Sequence, residues 1–245
     1  MASVRGRLYA GTSGFSYPGW VPRFYARGKA SRKLLVAYSA RLPAVELHTT
    51  FYRRPVPEQV SKWLRETPAW FRFCPKAQRG TAWRAWTDDD PGGSFEWLNE
   101  SFAGFGERIG CVLLSGRGSM ERDDAALERV LNAWPRTLRL ALELPHPSWG
   151  DPDVRRRVRE AGAAVVATDW DDRAEPVLDE RACLIYLRLR RAAYTAADVE
   201  RWAVRLRPIL AGGTDAYVFF RHDEDGQMAL HAEALLRRLE TFAPA

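Results

Sequence analysis

The feature that most constrains the fold is a regular alternation of short apolar runs with segments of helical periodicity. Eight apolar runs predict strands, at Arg7–Ala10, Ala44–Leu47, Trp70–Cys74, Ile109–Leu114, Leu138–Leu144, Ala163–Ala167, Cys183–Leu189 and Ala216–Phe220. Helices are predicted between or after them, at Ser31–Arg41, Pro57–Glu66, Phe95–Phe105, Asp123–Trp134, Asp151–Ala161, Thr195–Leu210 and Met228–Phe242. Continuous apolar runs of this kind suit strands that are covered on both faces, as in a parallel sheet.

This order of elements predicts an α/β protein with a TIM-type (β/α)8 barrel. A chain of 245 residues has the length that eight βα units need, and it lacks a Pro/Gly/Ser-rich linker or a low-complexity run. We therefore expect a single domain over residues 1–245. An open doubly wound sheet is the competing arrangement, because periodicity does not show whether a sheet closes on itself.

Cysteine usage and hydropathy indicate the compartment. Cys74, Cys111 and Cys183 each lie in an apolar run and no C-x-x-C motif is present, which predicts buried thiols in a reducing environment. The first residues lack the apolar stretch of a signal peptide, and no apolar run is long enough to span a membrane. We expect a cytoplasmic chain without membrane association, whose oligomeric state the sequence leaves open.

The chain is basic, with a formal net charge of +6, and arginine supplies almost all of its cations. Only four lysines are present, Lys29, Lys33, Lys62 and Lys76, against 33 arginines. A net positive charge is typical of proteins that bind a phosphorylated small molecule or a nucleic acid, but it also arises from compositional bias. Net charge alone does not separate these two interpretations.

Candidate functional residues follow the apolar runs, because a TIM barrel carries its functional groups where strands end and βα loops begin. We predict catalytic roles for Glu46, Lys76, Glu143 and Asp169. We predict ligand-binding roles for Ser13, Tyr17, Trp20, His48, Tyr52, His146, Arg188, Arg190, Arg221 and His222. Two carboxylates, a lysine and arginines can carry out acid–base chemistry on a polar or phosphorylated substrate.

Specific pairs can be expected within this set. Glu46 and His48 are two residues apart on a strand, so both side chains face the same side. Lys76 at a strand end needs a carboxylate partner or an anionic ligand, and Glu46, Glu143 and Asp169 are the candidate partners. The alternative interpretation is a structural layer of ion pairs inside the barrel, with His48 as a packing residue.

Three further features keep alternatives open. Divalent metal is a candidate cofactor, since His48, His146, His222, Glu46, Glu143 and Asp169 are ligand types, but no H-E-x-x-H or paired-Cys spacing is present, and the ligand set is unknown. Residues 11–14 read Gly-Thr-Ser-Gly, which suits an anion-binding nest or a tight turn. Trp83 and Trp86 lie in a polar stretch without a strand, where they could line a cleft or stack on a ligand ring.

Several blocks of the sequence together resemble one family. They are GTSGFSYPGW at residues 11–20, VELHTTFYRRP at 45–55, FRFCPK at 71–76, ELPHPSW at 143–149, YLRL at 186–189 and YVFF at 217–220. This pattern resembles the YecE-like family, also called domain of unknown function 72, over nearly the whole chain. The resemblance implies a TIM-barrel-like fold, similar to those of metal-dependent sugar isomerases and apurinic endonucleases, and it implies no particular reaction.

The chain departs from the family pattern at several strand ends. After Lys76 the family usually has Thr-His, whereas this chain reads RGTAW at residues 79–83. Where the fourth strand usually ends in Gln-x-Pro-Pro, residues 115–118 read SGRG. An Arg usually precedes the His of the fifth strand, where this chain has Pro145, and Arg190-Arg191 and Arg221-His222 stand where the family usually has His-Gly and Asn. The extra arginines indicate a changed, more anionic ligand or a lost ancestral activity.

Two function classes follow from these residues. The first is a barrel enzyme acting on a phosphorylated or nucleic-acid-like substrate, with Glu46 and Glu143 in acid–base or metal-binding roles and the cations holding anionic oxygens. The second is a binding protein for nucleic acid or an anionic small molecule, without turnover. A degenerate relative that acts through protein contacts is a third. An open pocket at Lys76 would favour the enzyme, and full burial of Lys76 against Glu46 would indicate a structural ion pair.

Overall fold

Short parallel strands form the centre of the fold. The computed structural model describes residues 6–28 and 33–239. Within these ranges the strands are β1 Leu8–Ser13, β2 Ala44–Leu47, β3 Arg72–Pro75, β4 Val112–Ser115, β5 Leu140–Glu143, β6 Ala164–Val165, β7 Ala167–Asp169, β8 Leu184–Leu189 and β9 Asp215–Phe220. The sixth predicted strand, Ala163–Ala167, covers β6 and the first residue of β7, and the observed strand is interrupted at Val166 and continues to Asp169.

The strands are hydrogen-bonded in two parallel sheets that follow one another around a ring. One sheet has the order β3-β2-β1-β9-β8-β7 and the other β4-β5-β6. Isolated parallel bridges, Phe73 to Ile109 and Lys76 to Leu113, join β3 to the segment of β4. On the opposite side, the interrupted sixth strand pairs through β6 with β5 and through β7 with β8. The predicted TIM-type barrel is confirmed, and the open doubly wound sheet is not what the chain forms.

Helices cover the outside of the ring. They are α1 Leu34–Ser39, α2 Thr49–Tyr52, α3 Pro57–Glu66, α4 Arg79–Thr87, α5 Gly92–Phe102, α6 Asp124–Ala133, α7 Pro152–Glu160, α8 Ala196–Ala211 and α9 Gln227–Leu239, with 3-10 turns at Pro18–Trp20, Ala103–Arg108 and Pro147–Gly150. α8 begins with a capping box, in which the Thr195 hydroxyl accepts from the Asp198 backbone N–H and the Asp198 carboxylate accepts from the Thr195 N–H. The predicted cap Ser31 and the end of the last predicted helix lie outside the described residues.

The core has two layers. The inner layer fills the barrel with residues such as Tyr9, Cys74, Leu113, Tyr186 and Phe219. The outer layer lies between strands and helices and contains several tryptophans. Trp20, Trp63, Trp134, Trp149 and Trp202 are buried and Trp70 is partly buried. The inner layer ends below the strand termini, where polar side chains take over.

Some local predictions were wrong. Cys183 is exposed rather than buried, because it precedes β8 at the rim of the barrel. Trp83 and Trp86 lie on α4 instead of an irregular stretch, and α2 was not predicted. Within residues 6–28 and 33–239, no helix is both long enough and apolar enough to cross a membrane.

Candidate functional site at the mouth of the barrel

A single buried carboxylate, Glu46 at the end of β2, organises one half of the mouth. Its Oε1 accepts from the Ser13 hydroxyl at 2.6 Å and lies 2.6 Å from Nε2 of His48. Its Oε2 accepts from the Tyr186 hydroxyl at 2.9 Å. A ring nitrogen this close to a carboxylate donates its proton, so His48 carries a proton on Nε2.

Two arginines from β8 and its extension complete the surroundings of Glu46. Arg188 donates through Nε to Oε2 and through Nη2 to Oε1, each at 3.1 Å. Arg190 donates through Nη2 to Oε1 at 2.6 Å. Because an ionised carboxylate offers about four lone-pair directions, Glu46 has no acceptor capacity left for a substrate. Its arrangement is that of a charged anchor that positions its neighbours.

Arg188 links Glu46 to a second carboxylate across the barrel. Its Nη1 donates to Oε1 of Glu143, at the end of β5. The other oxygen of Glu143 accepts from the Ser115 hydroxyl at 2.6 Å and lies 3.9 Å from Nζ of Lys76. Lys76 therefore pairs with Glu143 and not with Glu46 or Asp169, the other partners that the sequence offered.

Charge and burial set the protonation of this cluster. Burial would raise the pKa of Glu46, but the charges of Arg188, Arg190 and His48 outweigh it and hold that pKa well below 4.5. Burial would likewise raise the pKa of Glu143, but the charges of Arg188 and Lys76 outweigh it and lower that pKa. Burial lowers the pKa of Lys76 below 10.5, against the attraction of Glu143 and together with repulsion from Arg188. Both carboxylates are thus ionised, and Lys76 is a cation whose charge is disfavoured by burial.

A cavity opens beside the second carboxylate. Its volume is about 460 Å³, within the range of small-molecule sites. Lys76, Ser115 and Glu143 form its charged floor. Its walls come from Phe51, from α4 and from the loop after β4, and they include Arg79, Trp83, Trp86, Gly116, Arg117 and Met120. The guanidinium of Arg117 lies 4.4 Å from the ring centre of Trp83, whose side chain is half-exposed.

Asp169 belongs to a separate cluster. This fully buried carboxylate, at the end of β7, accepts from Arg191 Nε at 3.0 Å and from the Tyr194 hydroxyl at 3.0 Å. Arg191 also lies 3.6 Å from Asp198 at the start of α8. Asp169 thus anchors the loop between β8 and α8 and does not line the cavity beside Lys76.

The first βα loop places aromatic residues on the other side of the mouth. The Tyr17 ring stacks on His222 with ring centres 4.9 Å apart, and its hydroxyl donates to the Ser13 carbonyl at 2.9 Å. Trp20 is fully buried and donates through Nε1 to the Asp223 carbonyl at 2.8 Å. Trp20 is therefore a packing residue in the first loop, in contrast to its predicted ligand contact.

The remaining predicted residues lie apart from the cavity. Tyr52 is exposed on α2, and Arg221 is exposed after β9. His146 shares a hydrogen bond of 2.8 Å with the Ser148 hydroxyl, in the turn after β5. The structure therefore brings together Ser13, Glu46, His48, Lys76, Glu143, Arg188 and Arg190, and it separates from them Trp20, Tyr52, His146, Asp169 and Arg221.

Sequence reasoning missed several contributors. The Tyr186 hydroxyl donates to Glu46. Its position two residues before Arg188 on the same strand places both side chains on one face, and this spacing could have identified it. Ser115 and Arg117 are not among the predicted site residues and entered only through the segment 115–118 that departs from the family pattern, yet both line the cavity. Phe51 lies under the Lys76 ammonium, 4.7 Å from its ring centre. No sequence signal identifies this contact.

The carboxylates of the mouth do not fit a divalent metal. Among residues 6–28 and 33–239, no three His, Cys, Asp or Glu side chains converge as a ligand set. Glu46 is saturated by hydroxyl, imidazole and guanidinium donors, and Glu143 is shared between a guanidinium, a hydroxyl and an ammonium. A metal would have to displace buried cations, which already neutralise these carboxylates.

Comparisons with known proteins agree with this architecture. A DUF72 family protein from Thermotoga maritima superposes with a TM-score of 0.76 at 22% identity, covering 96% of this chain and 99% of that one. A DUF72 family protein from Enterococcus faecalis gives a TM-score of 0.75 at 18% identity, covering 97% of this chain and 96% of that one. At these identities the likeness shows the fold alone.

Sequence comparison gives the family. The UPF0759 protein YunF of Bacillus subtilis is 38% identical over 73 residues, which are 30% of this chain and 25% of that protein. The match thus spans about a quarter of the length of this curated relative. The profile of the family described as "Protein of unknown function DUF72" matches residues 9–244. The chain therefore belongs to the DUF72 family.

Proposed function

We propose that the chain is an enzyme acting on a phosphorylated small molecule, such as a sugar phosphate or a nucleotide. The cavity beside Lys76 is the binding site. The observation that carries this proposal is the composition of the cavity, which places three cations and three aromatic rings around one ionised carboxylate. Its volume of about 460 Å³ suits a small molecule better than a polymer.

The cations suit a phosphate. Lys76, Arg79 and Arg117 converge from β3, α4 and the loop after β4. Both Arg79 and Arg117 are exposed, so their charges are available to a ligand from solvent. A phosphate group offers several acceptor oxygens to such a set of donors, and guanidinium groups bind it in a bidentate manner.

The aromatic wall suits a ring. Trp83 is half-exposed and faces the cavity, and Trp86 lies one helical turn away on the same side of α4. Exposed tryptophan faces bind flat rings by stacking. Both Trp83 and Arg117 belong to segments in which the chain departs from the usual family pattern, which supports a ligand particular to this member.

Glu143, Ser115 and Lys76 supply the chemistry. The Ser115 hydroxyl donates a hydrogen bond to Oε2 of Glu143 at 2.6 Å. The Lys76 ammonium, a second proton donor, lies 3.9 Å from the same oxygen. A substrate hydroxyl or carbonyl placed between Lys76 and Glu143 would meet a proton donor on one side and a proton acceptor on the other. Glu46, with Arg188, holds this group in place.

Ligand binding can be tested by tryptophan fluorescence, because Trp83 faces the cavity. We expect AMP and ribose 5-phosphate to quench the emission, and adenosine to bind at least about tenfold more weakly because it lacks the phosphate. Arg117→Ala and Trp83→Ala should each weaken AMP binding. Arg237→Ala, an exposed arginine at the far end of α9, is the matched control and should not. Equal binding of AMP and adenosine, or no binding of either, would refute the proposal.

Binding without turnover is the second candidate. It is favoured by the saturation of Glu46 with hydrogen bonds. Glu143 is then the one carboxylate of the described mouth that can act as an acid or base on a ligand in the cavity. Phosphorus NMR of the bound ligand separates the two candidates. New phosphorus signals that vanish in Lys76→Met indicate an enzyme, whereas unchanged signals from a saturated complex indicate a binding protein.

A further inference from the structure

Lys76 is held rigidly at the floor of the cavity. Its backbone N–H donates to the Leu47 carbonyl at 3.0 Å, and its own carbonyl accepts from the Thr50 hydroxyl at 2.7 Å. It also forms the bridge to Leu113 that joins β3 to β4. The side chain therefore starts from a fixed point, and its ammonium lies over the Phe51 ring, at 4.7 Å. Such fixed placement favours a reaction at Nζ.

The charge balance of the mouth leaves Lys76 as the excess cation. Glu46 and Glu143 supply two negative charges, and Arg188 and Arg190 supply two positive charges in direct contact with them. Arginine does not lose its proton in proteins, so among the cations that line the cavity any deprotonation falls on the lysine. With four-fifths of its side chain buried and its carboxylate partner at 3.9 Å, Lys76 gains little from being charged. A neutral lysine amine is a nucleophile toward carbonyl carbon.

Proton transfer groups stand beside this amine. Glu143 Oε2 is 3.9 Å away and carries the hydrogen bond from Ser115. Both Lys76 and Glu143 line the cavity, so a carbonyl group bound there can reach the amine and the carboxylate. The cations Arg79 and Arg117 on the walls would hold a phosphate at the other end of such a molecule.

We infer that Lys76 forms an imine with the carbonyl carbon of a phosphorylated aldehyde or ketone bound in this cavity. The neutral amine attacks the carbonyl carbon, the C=O electron pair moves to oxygen, and that oxygen takes up a proton to give a carbinolamine. Nitrogen gives up its first proton as the carbinolamine forms, and its second proton passes to the hydroxyl group, which leaves as water, so that the C=N bond remains. Glu143, backed by Ser115, shuttles the proton between nitrogen and oxygen. This inference rests on the proposed function, since it assigns the substrate class of the same cavity.

Reductive trapping tests it directly. The intact chain is incubated with glyceraldehyde 3-phosphate and cyanoborohydride near pH 7, and labelled lysines are located by peptide mass. With four lysines in the chain, every site can be followed. We expect Lys76 to be labelled at least about tenfold faster than Lys62, an exposed lysine on α3. Lys76→Arg should remove the rapid label, and Lys62→Arg should leave it unchanged.

The outcomes separate this inference from the proposed function. If the phosphorylated aldehyde quenches tryptophan fluorescence but labels Lys76 no faster than Lys62, imine formation is refuted and phosphate binding stands. If Lys76 is labelled rapidly and equally by glyceraldehyde and by its phosphate, the imine stands and the phosphate site is refuted. Absence of any label on Lys76 in the wild-type chain refutes the inference without reliance on a variant.

Discussion

Replacement of Glu46 by glutamine probes the anchor of the mouth. The side chain keeps its shape but loses the negative charge that faces Arg188 and Arg190, whose side chains are 7% and 8% exposed. Arg188 would keep its contact with Glu143, whereas Arg190 would lose the carboxylate that it contacts. One end of the new amide would also point N–H groups at donors that now meet an oxygen.

The cost follows from leaving a buried charge without its partner. Removing one member of a buried ion pair costs about 3–5 kcal/mol, because the desolvated charge left behind is not compensated. Three guanidinium hydrogen bonds, at 3.1, 3.1 and 2.6 Å, lose their charged acceptor. We expect the free energy of unfolding to fall by about 4 kcal/mol, and the melting temperature by about 6–20 °C for a chain of this size.

Urea unfolding followed by circular dichroism measures this change. Glu66→Gln is the matched control, since Glu66 pairs with Lys62 at 3.8 Å on the surface of α3, and it should cost less than about 0.5 kcal/mol. Adding Arg190→Met to Glu46→Gln should recover part of the loss, because it removes one of the orphaned charges. A loss below about 1 kcal/mol for Glu46→Gln would show that water reaches the cluster and refute the reasoning.

Three further predictions concern the same structure. The pKa of Glu46 is lower in the folded chain than its ordinary 4.5. The contribution of its charge to the free energy of unfolding is therefore complete above pH 4.5 and is lost as the pH falls through the folded pKa. The stability difference between wild type and Glu46→Gln should shrink in urea titrations below about pH 4.5. Arg191→Met leaves the buried Asp169 with one side-chain donor among the described residues, Tyr194, and should lower the free energy of unfolding by about 1–3 kcal/mol; an unchanged value would show that Arg191 does not neutralise Asp169. Thr195→Ala breaks the capping box of α8 and should cost about 1 kcal/mol by urea unfolding, whereas Thr87→Ala at the exposed end of α4 should be neutral.

Much of the fold could be predicted from the sequence because the strands are short apolar runs between polar or turn residues. β2 occupies the predicted Ala44–Leu47, and α3 occupies the predicted Pro57–Glu66. α4 was missed because Gly80 and two tryptophans obscure its helical period and Gln78 provides no side-chain cap. The interruption of the sixth strand at Val166 could not be predicted either, since an apolar run carries no record of which neighbour each half pairs with.

The site was predictable to the extent that strand geometry determines it. The period of two along a strand predicts Glu46 and His48 on one side; β2 ends at Leu47 and His48 begins the turn into α2, yet the structure shows the two side chains in contact at 2.6 Å. Which carboxylate pairs with Lys76 depends on the stagger of strands around the ring, which no local pattern records. The structure pairs it with Glu143. The cavity depends on α4 packing over the strand ends, so it could not be derived once that helix was missed. The catalytic and ligand-binding roles remain predictions.

The division of the ring into two sheets predicts which part of the chain opens first in local unfolding. β4, β5 and β6 form a three-stranded unit whose outer strand, β6, pairs with β5 through only two register positions, Ala141 with Ala164 and Leu142 with Val165. Slow amide hydrogen exchange is expected to report this unit opening as a group before the six-stranded sheet does. Arg188 pairs with one carboxylate on each sheet, Glu46 on β2 and Glu143 on β5, and Lys76 forms a bridge between β3 and β4. Any ligand or proton that alters these charges therefore also alters the opening equilibrium of the three-stranded unit. Exchange rates along β4 and β5 would thus report on the chemistry at the mouth.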